Sequence, residues 1–149
     1  MSSCQEDEEA SPTKEAWEIE VDQIKEATNQ YTDHALALSE GFFDASGFVP
    51  QMGHHFILLE RVDSKFELEK PEILLYAPDE NGNMEFLGVE YAITVEDVEN
   101  PGTPPEGFTG SQDEWHFNQD LAQWQLHLWT MKENPDGIFT SLNPNVTAY

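Results

Sequence analysis

The chain has 149 residues, of which 30 are acidic and six are Lys or Arg, for a formal net charge of -24 at pH 7. That charge excludes unassisted binding to nucleic acid or to an anionic membrane surface, because both repel it. The length suits one domain with one core, burying roughly 68% of the surface of the unfolded chain, and a single cysteine, Cys4, excludes an internal disulfide.

Ser2-Ser3-Cys4 followed by Gln5-Glu6-Asp7-Glu8-Glu9 resembles the start of a mature bacterial lipoprotein, in which the cysteine is acylated and an acidic tether follows. No apolar segment precedes Cys4, so the resemblance implies that Met1 stands in place of a removed signal segment. The expectation is an extracytoplasmic protein, lipid-anchored through Cys4; a cytoplasmic chain with an incidental cysteine is the alternative. Residues 1–11 carry charge without periodicity and read as a disordered tether, leaving 12–149 as a single globular domain.

Ser11-Pro12 supplies a helix cap and a first-turn proline. Trp17, Val21, Ile24, Thr28, Tyr31, Ala35 and Leu38 then form one apolar stripe, which predicts a helix ending at Gly41 or breaking near Thr28-Asn29. Unbroken, it has about 26 residues and reaches roughly 39 Å, enough to lie across a sheet. Gly41, Gly47, Pro50 and Gly53 punctuate what reads as a loop leading into His54.

Four strands follow in the pattern. His54 to Arg61 places His55, Ile57 and Leu59 on one face and His54, Phe56, Leu58 and Glu60 on the other, so both faces are largely apolar and the strand is central. Pro71 to Ala77 is the second. Asn81-Gly82 predicts a type I' hairpin turn. Asp79, Asn81 and Asn83 alternate as in a calcium loop, but Met84 stands where that loop requires glycine, and the turn reading prevails. Met84 to Thr94 is the third strand, with Phe86, Gly88, Glu90 and Ala92 sharing a face. Residues 95–114 are acidic and rich in Pro and Gly, a loop or lid. Trp124 to Met131 is the fourth strand, with Gln125, His127, Trp129 and Met131 together, and the turn signals at Asn134-Pro135 and Asn143-Pro144 describe a tail wrapped over the core.

Glu90 has apolar neighbours on its own face, and a carboxylate there must be paired, protonated or bound to a cation, since desolvating it alone costs several kcal/mol. Three imidazoles, His55, His116 and His127, lie where a sheet can bring them to it. That donor set suits a divalent transition metal, Zn, Fe, Mn or Cu. Glu72 and His54 are reserve ligands. No short motif such as His-Glu-x-x-His supports the set. A cysteine nucleophile, a serine elbow and a glycine-rich phosphate loop are absent from the sequence. Trp115, Phe117, Trp124 and Trp129 serve a core first and a pocket second.

Met52-Gly53-His54-His55-Phe56, Lys70-Pro71-Glu72-Ile73-Leu74-Leu75-Tyr76, Gly88-Val89-Glu90-Tyr91 and Leu126-His127-Leu128-Trp129, with Ala27-Thr28, Tyr31, Asp33 and the two Asn-Pro pairs, resemble a family of small, largely uncharacterised exported bacterial proteins over residues 26–146. The resemblance implies that His55 rather than His54 is the functional histidine, with Glu90, His116 and His127 beside it, and implies no activity. His54 stands where the family has a bulky aromatic. The expectation is therefore an α+β domain, with a long N-terminal helix packed on a mainly antiparallel sheet or partial β-barrel of about four to six strands. Its function is metal binding at three His and one Glu, with room for a small-molecule ligand. The alternatives are a non-catalytic ligand-binding or interaction module with a buried His/Glu hydrogen-bond network, and a metal-free enzyme with Glu90 as general base and His127 as its partner.

Overall fold

A computed structural model describes residues 13–148. The tether, Cys4 and the Ser11-Pro12 helix start lie outside the described residues. Helix α1 (Ala16–Thr28), a 3-10 turn (Asn29–Thr32) and helix α2 (His34–Glu40) precede strands β1 (Phe43–Val49), β2 (Gly53–Ile57), β3 (Ile73–Pro78), β4 (Met84–Thr94), β5 (His116–Asn118) and β6 (Gln123–Leu128). All strand pairs are antiparallel, in the order β1-β2-β3-β4-β6-β5, and the sheet curls into a half-barrel.

The predicted stripe does not form one helix to Gly41. It breaks after Thr28, at the second of the two places the spacing allowed. Thr28 Oγ1 turns back to donate to Ile24 O at 2.7 Å, a bond that competes with regular helix. Asp33 is extended (φ -86, ψ 98), and its side chain accepts from Ala35 N at 3.1 Å to start α2 afresh. The restart changes the helical phase: Val21, Ile24, Thr28 and Tyr31 are buried as predicted, Ala35 and Leu38 face solvent, and Ala37 is buried instead. Gly41, at φ 108, ends α2 as expected.

The segment read as a loop before His54 contains a strand. β1 pairs with β2 around an irregularity between Asp44 and Phe48, where Asp44 Oδ1 accepts the N–H groups of Ser46 and Gly47. The bulge destroys the alternation by which a strand is recognised. The strand expected at His54 to Arg61 stops at Ile57 and passes into a 3-10 turn (Leu59–Arg61). At residues 79–83 the turn is not type I', since Gly82 has a positive φ and Asn81 does not. Asp79 Oδ1 holds it by accepting from Asn81 N and Asn83 N, both at 2.9 Å.

The sheet divides two apolar clusters. Phe56, Leu74, Tyr76, Val89, Tyr91, Leu126 and Leu128 pack with Val21, Ile24, Tyr31 and Ala37 from the helices and with Phe108 and Phe139. Ile73, Leu75, Leu87, Ala92, Trp129 and Val146 form a smaller cluster on the other face. In β4 the expected alternation fails at one point. Leu75 pairs Gly88 and Tyr76 pairs Phe86, which leaves Leu87 as the extra residue of a bulge. Phe86 therefore joins the helix-side cluster and Leu87 the opposite one, as a one-residue slip requires. Gly88 has no room for a side chain, since a Cβ there would lie 2.4 Å from Leu128 O. Residues 95–115 carry no helix or strand and are tied to α1 by Thr109 N and Oγ1, which donate to the Glu20 carboxylate at 2.8 and 2.6 Å.

Candidate metal centre

Three of the predicted residues meet on the face of the smaller cluster. Glu90 and His127 are direct cross-strand partners in β4 and β6, and His55 comes from β2. β2 and β6 are separated by β3 and β4, so in a flat sheet their backbones would lie roughly 14 Å apart. The His55 and His127 ring centroids are nonetheless 6.1 Å apart. The curl of the sheet closes that gap. Donor atoms of His55, Glu90 and His127 all fall within 4.8 Å of one another.

Both imidazoles address one oxygen. His55 Nε2 and His127 Nε2 each lie 3.2 Å from Glu90 Oε1, with the Glu90 and His127 side chains 2% and 5% exposed. Yet Glu90 Oε1 and His127 Nε2 have no aligned hydrogen-bond partner among the described residues. Ser46, which sequence patterning missed, explains the His55 side. Its hydroxyl donates to Gly47 O at 2.7 Å, so its oxygen can only accept from His55 N at 3.0 Å and His55 Nδ1 at 2.9 Å. The proton is thereby placed on Nδ1, which leaves Nε2 as an unprotonated donor atom 3.2 Å from Glu90 Oε1 but not aligned with it, an arrangement open to a cation bound by both atoms.

Electrostatics matches a metal donor set. Burial pushes the Glu90 carboxyl up, while positive charge on His127 and then His55 pulls it down, and with those rings protonated the balance lies below the usual carboxylate range. Burial lowers His127 more than Glu90 raises it, which leaves a neutral imidazole. Trp129 stacks on His127 with centroids 6.1 Å apart and ring planes 20° off parallel, fixing the ring laterally.

His116 does not join the donor group. It lies in β5 at the sheet edge, opposite Gln125, one strand beyond His127 and two from Glu90. It lines a cavity of about 440 Å³ whose wall also includes His127 but neither His55 nor Glu90. The reserve residues are engaged elsewhere. His54 points to the opposite face, where its Nδ1 pairs with Asp44 Oδ2 at 2.8 Å. Glu72 is buried and accepts from Ala92 N at 2.9 Å, and burial pushes its carboxyl up to about 7. The sequence reading is thus corrected from three histidines to two, plus one glutamate.

Fold and cluster define an α+β domain carrying a buried two-histidine, one-carboxylate group on one face of a curled antiparallel sheet. Comparison with protein-family models, with curated proteins and with solved structures finds no match for this chain.

Proposed function

We propose that this protein binds one divalent transition metal ion through His55 Nε2, Glu90 and His127 Nε2. The observation that carries this reading is the pair of 3.2 Å separations from Glu90 Oε1 to the two imidazole nitrogens with no aligned hydrogen bond at Glu90 Oε1 or His127 Nε2. With ligand bonds of about 2.0 to 2.1 Å, two donors on one ion sit about 3.3 Å apart in tetrahedral and about 2.9 Å apart in octahedral geometry. The observed spacing falls between them. Two imidazoles and a carboxylate suit Zn or Fe, with Mn and Cu also compatible, and three protein ligands leave further coordination positions open. An ion held this way supplies Lewis acidity or activates a bound water.

The test is elemental analysis of the purified protein beside the His55→Ala, His127→Ala double variant. The expected result is one transition metal ion per chain in the wild type and none in the variant. A wild type that stays metal-free after incubation with Zn(II), Fe(II), Mn(II) and Cu(II), and is no less stable for it, overturns the proposal in favour of a closed hydrogen-bonded network.

A further inference from the structure

Resting on the metal reading, we infer that Asp44, braced by His54, is a positioning residue for the metal centre: it holds the β1 bulge that delivers the Ser46 hydroxyl to His55. Asp44 stands outside the donor group and acts on it through the bulge. The β1–β2 ladder carries the first observation. Between the pairs Asp44–Phe56 and Phe48–His54, three residues of β1, Ala45, Ser46 and Gly47, stand opposite the single residue His55. The ladder is thus interrupted at the metal ligand itself. A bulge leaves its extra residues unpaired, yet here one of them binds His55 twice, Ser46 Oγ accepting from His55 N at 3.0 Å and from His55 Nδ1 at 2.9 Å.

The second observation is what fixes the bulge. A three-residue excess has no ladder to hold its shape, so its N–H groups need other acceptors. Two of them end on one atom: Asp44 Oδ1 accepts from Ser46 N at 3.2 Å and from Gly47 N at 2.9 Å. A carboxylate bonded to the backbone just ahead of it closes an Asx turn, and that backbone carries Ser46 Oγ. Packing does not do the same. Ala45 and Ser46 are exposed, and Gly47, at φ 69, has nothing within 4 Å of where a Cβ would stand.

The third observation is that Asp44 is itself held. Its Oδ2 lies 2.8 Å from His54 Nδ1, and the His54 side chain is 16% exposed. The His54 ring rests against Phe48 and Phe56, with centroids 5.8 and 6.4 Å away. Successive residues of a strand point to opposite faces, so His54 and His55 hold one bulge from both sides, His54 through Asp44 and His55 through Ser46. Side chains that bond a ligating imidazole directly contribute about ten- to hundredfold to metal affinity. Asp44 acts one hydroxyl farther out.

The first readout of the experiment needs no metal. Long-range proton–nitrogen correlation spectra of the metal-free full chain at mildly alkaline pH report which nitrogen of His55 carries the proton. Wild type is expected to hold it on Nδ1, as is Asp44→Asn, whose amide oxygen still accepts from Ser46 N and Gly47 N. Asp44→Ala is expected to show both tautomers and to bind Zn(II) about tenfold more weakly in competition with a chelator, with Asp44→Asn close to wild type. Because Asp44 works through Ser46, adding Asp44→Ala to Ser46→Ala is expected to weaken Zn(II) binding little further, which a general loosening of β1 would not reproduce. His54→Phe removes only the brace on Oδ2 and is expected to weaken Zn(II) binding about fivefold, the contribution of one hydrogen bond. An Asp44→Ala chain with unchanged tautomer and unchanged Zn(II) affinity overturns the inference, as does full additivity with Ser46→Ala. Where Asp44→Ala does not fold, an unchanged tautomer and affinity in His54→Phe overturn it instead. A wild type that binds no Zn(II) removes the metal reading, and the tautomer spectra still decide whether Asp44 positions His55.

Discussion

Because Ser46 Oγ donates to Gly47 O and accepts from the backbone N–H and ring Nδ1 of His55, it sets which ring nitrogen of His55 is free for an ion. Removing the hydroxyl releases the tautomer and the ring torsion together. Partners of this kind contribute about ten- to hundredfold to metal affinity. Ser46→Ala is therefore expected to weaken Zn(II) binding, measured by competition with a chromophoric chelator, by about that factor, while Ser46→Thr restores most of it. Unchanged affinity in Ser46→Ala would show that His55 is oriented by packing alone. Glu72 acts on stability instead. It is 1% exposed, and burial pushes its carboxyl from 4.5 to about 7, so the folded state holds the proton more tightly than the unfolded one. Its stabilising contribution is complete below about pH 4.5 and is lost as pH rises through 7. A difference of that size corresponds to about 3 kcal/mol. Glu72→Gln keeps an acceptor for Ala92 N–H and cannot ionise. Urea unfolding should show the variant gaining on the wild type by most of that amount between pH 5 and pH 8, and a difference independent of pH would contradict the burial argument.

The strands differ in how plainly the sequence announces them. β4 is bounded as its alternation predicts, from Met84 to Thr94, because it is long and a Gly-containing turn precedes it. The same alternation put His55 and Glu90 on faces that do coincide, and the Glu90–His127 register gives that coincidence a contact. β1 was illegible, since its bulge at Asp44 to Phe48 breaks the period of two by which strands are read. Ser46 lies inside that bulge and was lost with it. The helix break was only half legible: Thr28-Asn29 is a weak point in any helix, but the change of phase depends on Asp33 adopting an extended backbone, and no stripe records that. His116 was misassigned for a topological reason. Side-chain alternation predicts the face of a residue and says nothing about strand order, and here β6 inserts between β4 and β5. The curl that brings His55 across the two intervening strands to His127 is likewise a property of the assembled sheet, and a bulge at Leu87 lies three residues before Glu90.

At the scale of the whole molecule the dominant fact is the imbalance of 30 acids against six Lys and Arg. Salt bridges relieve little of it: among the described Lys and Arg side chains only Lys14 and Lys132 pair with carboxylates, and exposed pairs contribute about 0 to 1 kcal/mol each. Most acids thus repel one another across a surface that folding makes compact, so the folded state carries more of this repulsion than the expanded unfolded chain. The Debye length falls from about 30 Å at 0.01 M salt to about 3 Å at 1 M, shorter than most surface charge separations. Chelator-treated protein should therefore melt higher in 1 M than in 0.01 M NaCl. If screening recovers about 1 kcal/mol, the rise is on the order of 3 to 5 °C for a chain of this length. A flat or falling melting temperature would show that unfolding relieves little charge. Because the buried Glu90–imidazole contacts exclude solvent ions and one divalent cation changes so large a net charge only slightly, the metal-loaded protein should show the same slope displaced upward. Parallel lines would locate the salt effect on the surface, whereas a slope that collapses on metal loading would place it at the centre.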